Sequence, residues 1–153
     1  MRVILIFFLV SLCISCNPKP IASYDLVVQN GTLIHLETGK LSKESIFISD
    51  GRIKEIVPSD SVFTFEAKEE IDATGKFILP GFWDNHVHFR GGDSLISANK
   101  DFLKLFMANG ITTVRDAGGD LTSSVLGWRK DILEGKLTGP TIFTSGPKID
   151  GKS

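Results

Sequence analysis

Histidine and cysteine are scarce in this chain, and each scarcity narrows what it can do. Of 153 residues only three are histidine, His35, His86 and His88, so any imidazole chemistry rests on those positions. Only two are cysteine, Cys13 and Cys16, which excludes a disulfide scaffold for the rest of the chain. An excess of either charge is also missing: 17 Lys and Arg face 18 Asp and Glu, for a net charge of −1. Binding nucleic acid through its phosphates needs a basic surplus, so nucleic acid is not an expected partner. No apolar run reaches the about 20 residues of a membrane-spanning helix. No internal repeat and no low-complexity tract is present. What remains is 42% hydrophobic and 23% charged, the mix of a chain with a packed core.

The N-terminus carries an address. After Arg2, residues 3–10 read VILIFFLV, and 12–14 extend the run. A short positive segment followed by a brief apolar run fits a secretory signal. The run closes on Cys13-Ile14-Ser15-Cys16, and a small residue directly before Cys16 resembles the lipobox of bacterial lipoproteins. That resemblance implies a signal peptide over 1–15, lipid on Cys16, and export to the periplasmic or outer side of a bacterial membrane, held there by acyl chains. One position departs from the pattern: the usual leucine three residues before the modified cysteine is Cys13, with Leu12 one place further back. An ordinary signal peptide with a leftover cysteine is the alternative. Two prolines, Pro18 and Pro20, block helix and make 16–23 a tether.

Residues 24–76 predict a small antiparallel β module. Tyr24-Asp25-Leu26-Val27-Val28 and Thr32-Leu33-Ile34 flank Asn30-Gly31, a pair suited to a hairpin turn because both residues tolerate positive φ. Ser45-Ile46-Phe47-Ile48 and residues 52–57 flank Asp50-Gly51 by the same logic. Asp72-Ala73-Thr74-Gly75 is a further turn. His35 stands alone at a strand end and reads as a rim residue. Isolated hairpins are marginal in water, so this module calls for another surface.

Residues 77–153 switch to β/α alternation. Phe77 to Phe89 is strand-like; residues 95–109 recur apolar at helical spacing through Phe102, Leu105, Phe106 and Met107, with Leu103 beside them. Asn109-Gly110 stops that helix. Strand 111–114 ends at Arg115-Asp116. Asp120 or Thr122 caps a second helix running to about Gly135, and Thr141-Ile142-Phe143-Thr144 is a third strand. Strand, helix, strand, helix, strand predicts parallel βαβ units with right-handed crossovers.

The chemistry-bearing pattern is His86-Val87-His88. Residues i and i+2 of a strand share a face, so both imidazoles project together. Paired imidazoles suit a borderline divalent metal such as zinc. They stand near the carboxyl end of a β/α strand, where such folds collect their chemistry. Spacing alone also allows two histidines on one sheet face with no metal.

The flanks of the pair carry a family resemblance. Pro80-Gly81-Phe82-Trp83-Asp84-Asn85-His86-Val87-His88 resembles the first barrel strand of the amidohydrolase superfamily, with every fixed position and the spacing intact. The turns at Asn30-Gly31, Asp50-Gly51 and Asp72-Ala73-Thr74-Gly75 are similar to that superfamily's N-terminal β segment. Gly110-Ile111-Thr112-Thr113-Val114-Arg115-Asp116 is similar to its second strand, and Gly139-Pro140 with Ser145-Gly146 to its third. The imidazolonepropionase-like and prolidase-like branch is the nearest in flavour. The resemblance spans about residues 24–150. It implies an α/β fold: the first three or so strands of a (β/α)8 TIM-like barrel behind a small β module. It implies a metal-dependent hydrolase acting on C–N bonds of a small-molecule or peptide-like substrate, with one or two divalent ions, zinc foremost. His86 and His88 would be metal ligands. Asp84, Arg115 and Asp116 would be supporting residues; a salt bridge at a loop is the alternative for Arg115 and Asp116, and a turn residue for Asp84.

The remaining ligands and the general base of such an enzyme come from later strands, and this sequence holds no candidates for them. A closed barrel takes about 250 residues. The expectation is therefore the N-terminal part of an enzyme, inactive by itself. A short non-catalytic lipoprotein or decayed product, and a split enzyme completed by a partner chain, are the other two readings.

Overall fold

The computed structural model describes residues 21–62 and 64–147. The expected signal 1–15, Cys16, most of the tether and the last six residues lie outside the described residues. Two compact units divide between Leu79 and Pro80.

The first unit is a five-stranded sheet. β1 (Ala22–Ile34), β2 (Leu41–Ser49), β3 (Arg52–Pro58) and β4 (Phe65–Asp72) lie in the order β3-β2-β1-β4, and the short β5 (Phe77–Ile78) also pairs with β1. β2 and β3 form the expected hairpin: Asp50 and Gly51 take φ of 54° and 66°, the pair of left-handed residues its two-residue turn needs.

The hairpin expected at Asn30-Gly31 is a correction. β1 runs straight through that pair, and the chain reverses only at His35–Lys40, where His35 N–H donates to the Lys40 carbonyl at 2.9 Å. Asn30 does take a positive φ, 61°, but spends it on a bulge: the β1–β2 register shifts between Val28 and Gly31. Gly31 is fixed by crowding, since a Cβ there would stand 2.1 Å from the Ile78 side chain. Nor is the module purely antiparallel. β4 and β5 both pair parallel to β1, Leu26 opposite Glu69 and Thr32 opposite Phe77. The connection after β3 crosses to the far side of β1, which sets β4 parallel. Between β4 and β5 the Asp72 carboxylate accepts from the Thr74 hydroxyl, the Thr74 N–H and the Asn30 amide, which hold it below the usual carboxylate range. The small core is Tyr24, Val27 and Phe47, with Phe47 edge-on to Phe65 at 5.1 Å.

The second unit follows the expected alternation. β6 (Phe82–Val87), β7 (Ile111–Asp116) and β8 (Thr141–Thr144) form a parallel sheet in that order. α1 (Ile96–Ala108) joins the first two and α2 (Thr122–Leu133) the second two. The buried face of α1 differs from expectation: Asn99 and Leu103 are buried, Ile96 and Phe106 pack beside them, while Phe102, Leu105 and Met107 are exposed. Positions 96, 99, 103 and 106 are the true stripe, and polar Asn99 hid it. Its amide is satisfied by the Arg90 and Leu95 carbonyls at 3.0 and 2.9 Å, which ties the loop after β6 to the helix. Leu103 meets Val114, Val125, Trp128 and Ile142 in one core with no solvent contact of its own. Leu103→Ala is expected to cost about 2–5 kcal/mol, read by denaturant unfolding.

Candidate metal centre

Because β6, β7 and β8 run parallel, their carboxyl ends share one end of the sheet, and the candidate metal ligands and supporting residues lie there or lead there. The β6–β7 register shifts between Asp84 and Val87. Val87 turns into the core, and His86 and His88 turn the other way, both exposed. Asp84 serves this local break: its Oδ1 accepts the His86 N–H at 3.1 Å. It supports the backbone and does not reach the imidazoles.

The two Nε2 atoms stand 3.1 Å apart, with the rings near perpendicular at 78°. Two bare lone pairs at that distance repel. Something positive belongs between them, either a proton on His86 or a cation. Two nitrogens about 2.0–2.1 Å from a tetrahedral ion stand about 3.3 Å apart, so the spacing fits a shared metal. Among the described residues no third His, Cys, Asp or Glu completes a group of three, and catalytic zinc uses three protein ligands. The pair fits a share of a site.

Behind the pair, His88 Nδ1 lies 2.6 Å from the Gly118 carbonyl. A carbonyl only accepts, so Nδ1 carries the proton and Nε2 keeps its lone pair, the orientation that a metal-binding histidine needs. Gly118 belongs to the loop after β7. That loop is locked to the end of β6 and the loop after it in three further places. Ala117 N–H donates to the Val87 carbonyl at 2.9 Å. Gly119 packs so closely on Phe89 that a Cβ would lie 2.0 Å from its carbonyl oxygen. The Asp120 carboxylate accepts from Gly91 and Gly92 N–H at 3.0 and 3.1 Å, both glycines at positive φ.

Asp120 therefore does not cap α2, and neither does Thr122: the capping position is Leu121, with no side-chain cap, and Thr122 Oγ1 is buried without a partner. Arg115 and Asp116 do not form the salt bridge weighed for them. Arg115 is exposed and donates to the Asn85 carbonyl at 3.3 Å, whereas Asp116 is buried and faces Gly118 and Thr144. Gly118, Asp120 and Thr144 went unnoticed in the sequence as site residues; the Gly118-Gly119-Asp120 run was the one signal.

His35 belongs to the first unit, at the end of β1. Its Nε2 lies 2.6 Å from Ser42 Oγ and 3.5 Å from Glu44, and Ser42 donates to Glu44 at 2.8 Å. A nucleophilic triad needs the carboxylate on the second ring nitrogen. Here every contact falls on Nε2, and the serine proton goes to the glutamate.

No family model matches the chain. Adenine deaminase of Halalkalibacterium halodurans is 38% identical over 90 residues, which are 59% of this chain and 14% of that protein. A Xaa-Pro dipeptidase solved with methionine in its active site has a TM-score of 0.71 at 27% identity, covering 81% of this chain and 34% of its own. Molinate hydrolase has a TM-score of 0.69 at 29% identity, with 84% and 31% covered. The chain thus spans about a third of these structures and about a seventh of the curated relative. The part shared is a β segment followed by the first βα units of a TIM-type barrel. With the His86–His88 strand in its expected place and these relatives on either side, the chain belongs to the amidohydrolase superfamily.

Proposed function

We propose that this chain is the leading part of an exported, lipid-anchored hydrolase that cleaves C–N bonds, amide or cyclic amide, with water activated by a divalent cation, zinc foremost. The observation that carries the reading is the His86–His88 pair: two Nε2 atoms 3.1 Å apart, one of them fixed by Gly118, at the carboxyl end of the first of three parallel strands. Removing the amine of adenine and splitting a dipeptide both add water across a C–N bond, so the relatives' names are consistent with one chemistry.

His86 and His88 would hold the cation together with ligands from outside the described residues, and the chemistry it would supply is acidification of water and polarisation of the substrate. The chain's own contribution is orientation. Asp84 shapes the backbone that presents His86, and Gly118 sets the His88 tautomer. Completion of the barrel elsewhere is supported by the open face of the sheet: Trp83 and Phe143 stack at 5.7 Å while each is more than half exposed. Parallel sheets are ordinarily covered on both faces. Dipeptides, cyclic amides and acylated amino acids are the substrates to try.

The test is the native protein in its own cells. A species well above 16.7 kDa, in the membrane fraction and carrying metal, is the expected result. Cys16→Ser is expected to release it from that fraction. A metal-free species near the mass of this chain would favour the short non-catalytic lipoprotein instead.

A further inference from the structure

We propose that Asp116 is a positioning residue for His88, acting through Gly118; the inference rests on reading His88 as a metal ligand. Asp116 ends β7 and is 1% exposed, next in line to the core residue Val114. A carboxylate in such a place is costly unless its oxygens are used. No ion pair reaches it among the described residues. Its oxygens are used by two donors: Oδ1 accepts the Gly118 N–H at 3.3 Å, and Oδ2 accepts the Thr144 hydroxyl at 2.8 Å. Thr144 Oγ1 in turn accepts the Gly146 N–H at 3.1 Å, and the Asp116 carbonyl accepts the Ser145 N–H. The carboxylate is thus pinned between the ends of β7 and β8.

Gly118 converts that anchorage into aim. Its φ of 102° is open to glycine and strained for other residues. In that conformation its N–H turns back to Asp116 while its carbonyl faces His88 Nδ1. The relay runs from Thr144 to Asp116, to Gly118, to the ring of His88. It selects the tautomer whose free Nε2 faces His86. Outer partners of this kind are worth about 10–100-fold in metal affinity.

The test uses the full protein with histidine labelled with nitrogen-15. Long-range proton–nitrogen spectra of the metal-free form report the His88 tautomer, and competition with a chromophoric chelator reports zinc affinity. Asp116→Ala is expected to lose the Nδ1–H tautomer of His88 and to weaken zinc about 10–100-fold. Asp116→Asn, which keeps an acceptor for Gly118, is expected to restore most of both. A folded Asp116→Ala protein with wild-type tautomer and zinc affinity overturns the proposal. If that variant does not fold, Thr144→Val decides, because it removes one of the two donors: a smaller loss in the same direction supports the relay, and no change overturns it. Wild-type protein that binds no zinc overturns the hydrolase reading instead, and the tautomer then decides the Asp116 link alone.

Discussion

Replacing His86 and His88 together with alanine is expected to remove the metal-dependent turnover proposed for the complete enzyme. Each loss alone is expected to lower metal affinity by more than the about 100-fold of an outer partner, because a ligand atom itself is gone. Both rings are exposed and neither belongs to the core, so the variants should unfold at nearly the wild-type temperature. That separates a lost ligand from a lost fold. Metal content after dialysis and rates on a panel of dipeptides, cyclic amides and acylated amino acids, with and without chelator, are the measurements. Unchanged turnover in the double variant would sink the metal centre.

Gly119→Ala is expected to disturb the centre from behind. Its new methyl would lie 2.0 Å from the Phe89 carbonyl oxygen, where carbon and oxygen need about 3.3 Å. Phe89 cannot step aside: it is buried and packs edge-on against Trp128 at 5.6 Å. The loop after β7 must lift instead, and it carries both the Gly118 carbonyl on His88 and the Asp120 carboxylate on Gly91 and Gly92. The cost is about 1–3 kcal/mol in stability, with a fall in metal affinity beside it. Gly127→Ala is the control. It lies on the exposed side of α2 with open space around the added methyl, and it should leave stability equal or higher by up to about 1 kcal/mol. Denaturant midpoints of the two variants are to be compared in one experiment; equal midpoints would refute the crowding argument.

The sequence carried more of the second unit than of the first, for a physical reason. In the second unit each strand and helix is bounded by local punctuation, Asn109-Gly110 and Gly139-Pro140, and neighbours in sequence are neighbours in space. The imidazole pair needed only a two-residue period. In the first unit Asn30 takes the positive φ that its type suggests, but a bulge and a hairpin ask the same of it, so the residue could not say which. The parallel pairing of β4 with β1 joins positions 43 apart, Leu26 with Glu69, and no short pattern encodes it. On α1 the misleading residue was Asn99, a buried amide in a stripe read by apolarity alone. The ties behind His88 were hidden for the same reason as the β1–β4 pairing. They are backbone and carboxylate contacts between loops some 30 residues apart, His88 with Gly118 and Gly91 with Asp120.

β1 also sets an order of events during synthesis. It takes three partners, β2 from the adjacent stretch of chain and β4 and β5 from far beyond it. The β2–β3 hairpin, closed by Asp50-Gly51, can form within microseconds of leaving the ribosome. Its seam with β1 follows over a short loop. The other edge of β1 stays open until β4 and then β5 are available, and closing it carries the entropy of a loop of some forty residues. The first unit therefore matures from the hairpin towards β1, and the seam that β1 shares with β4 and β5 is the last to close.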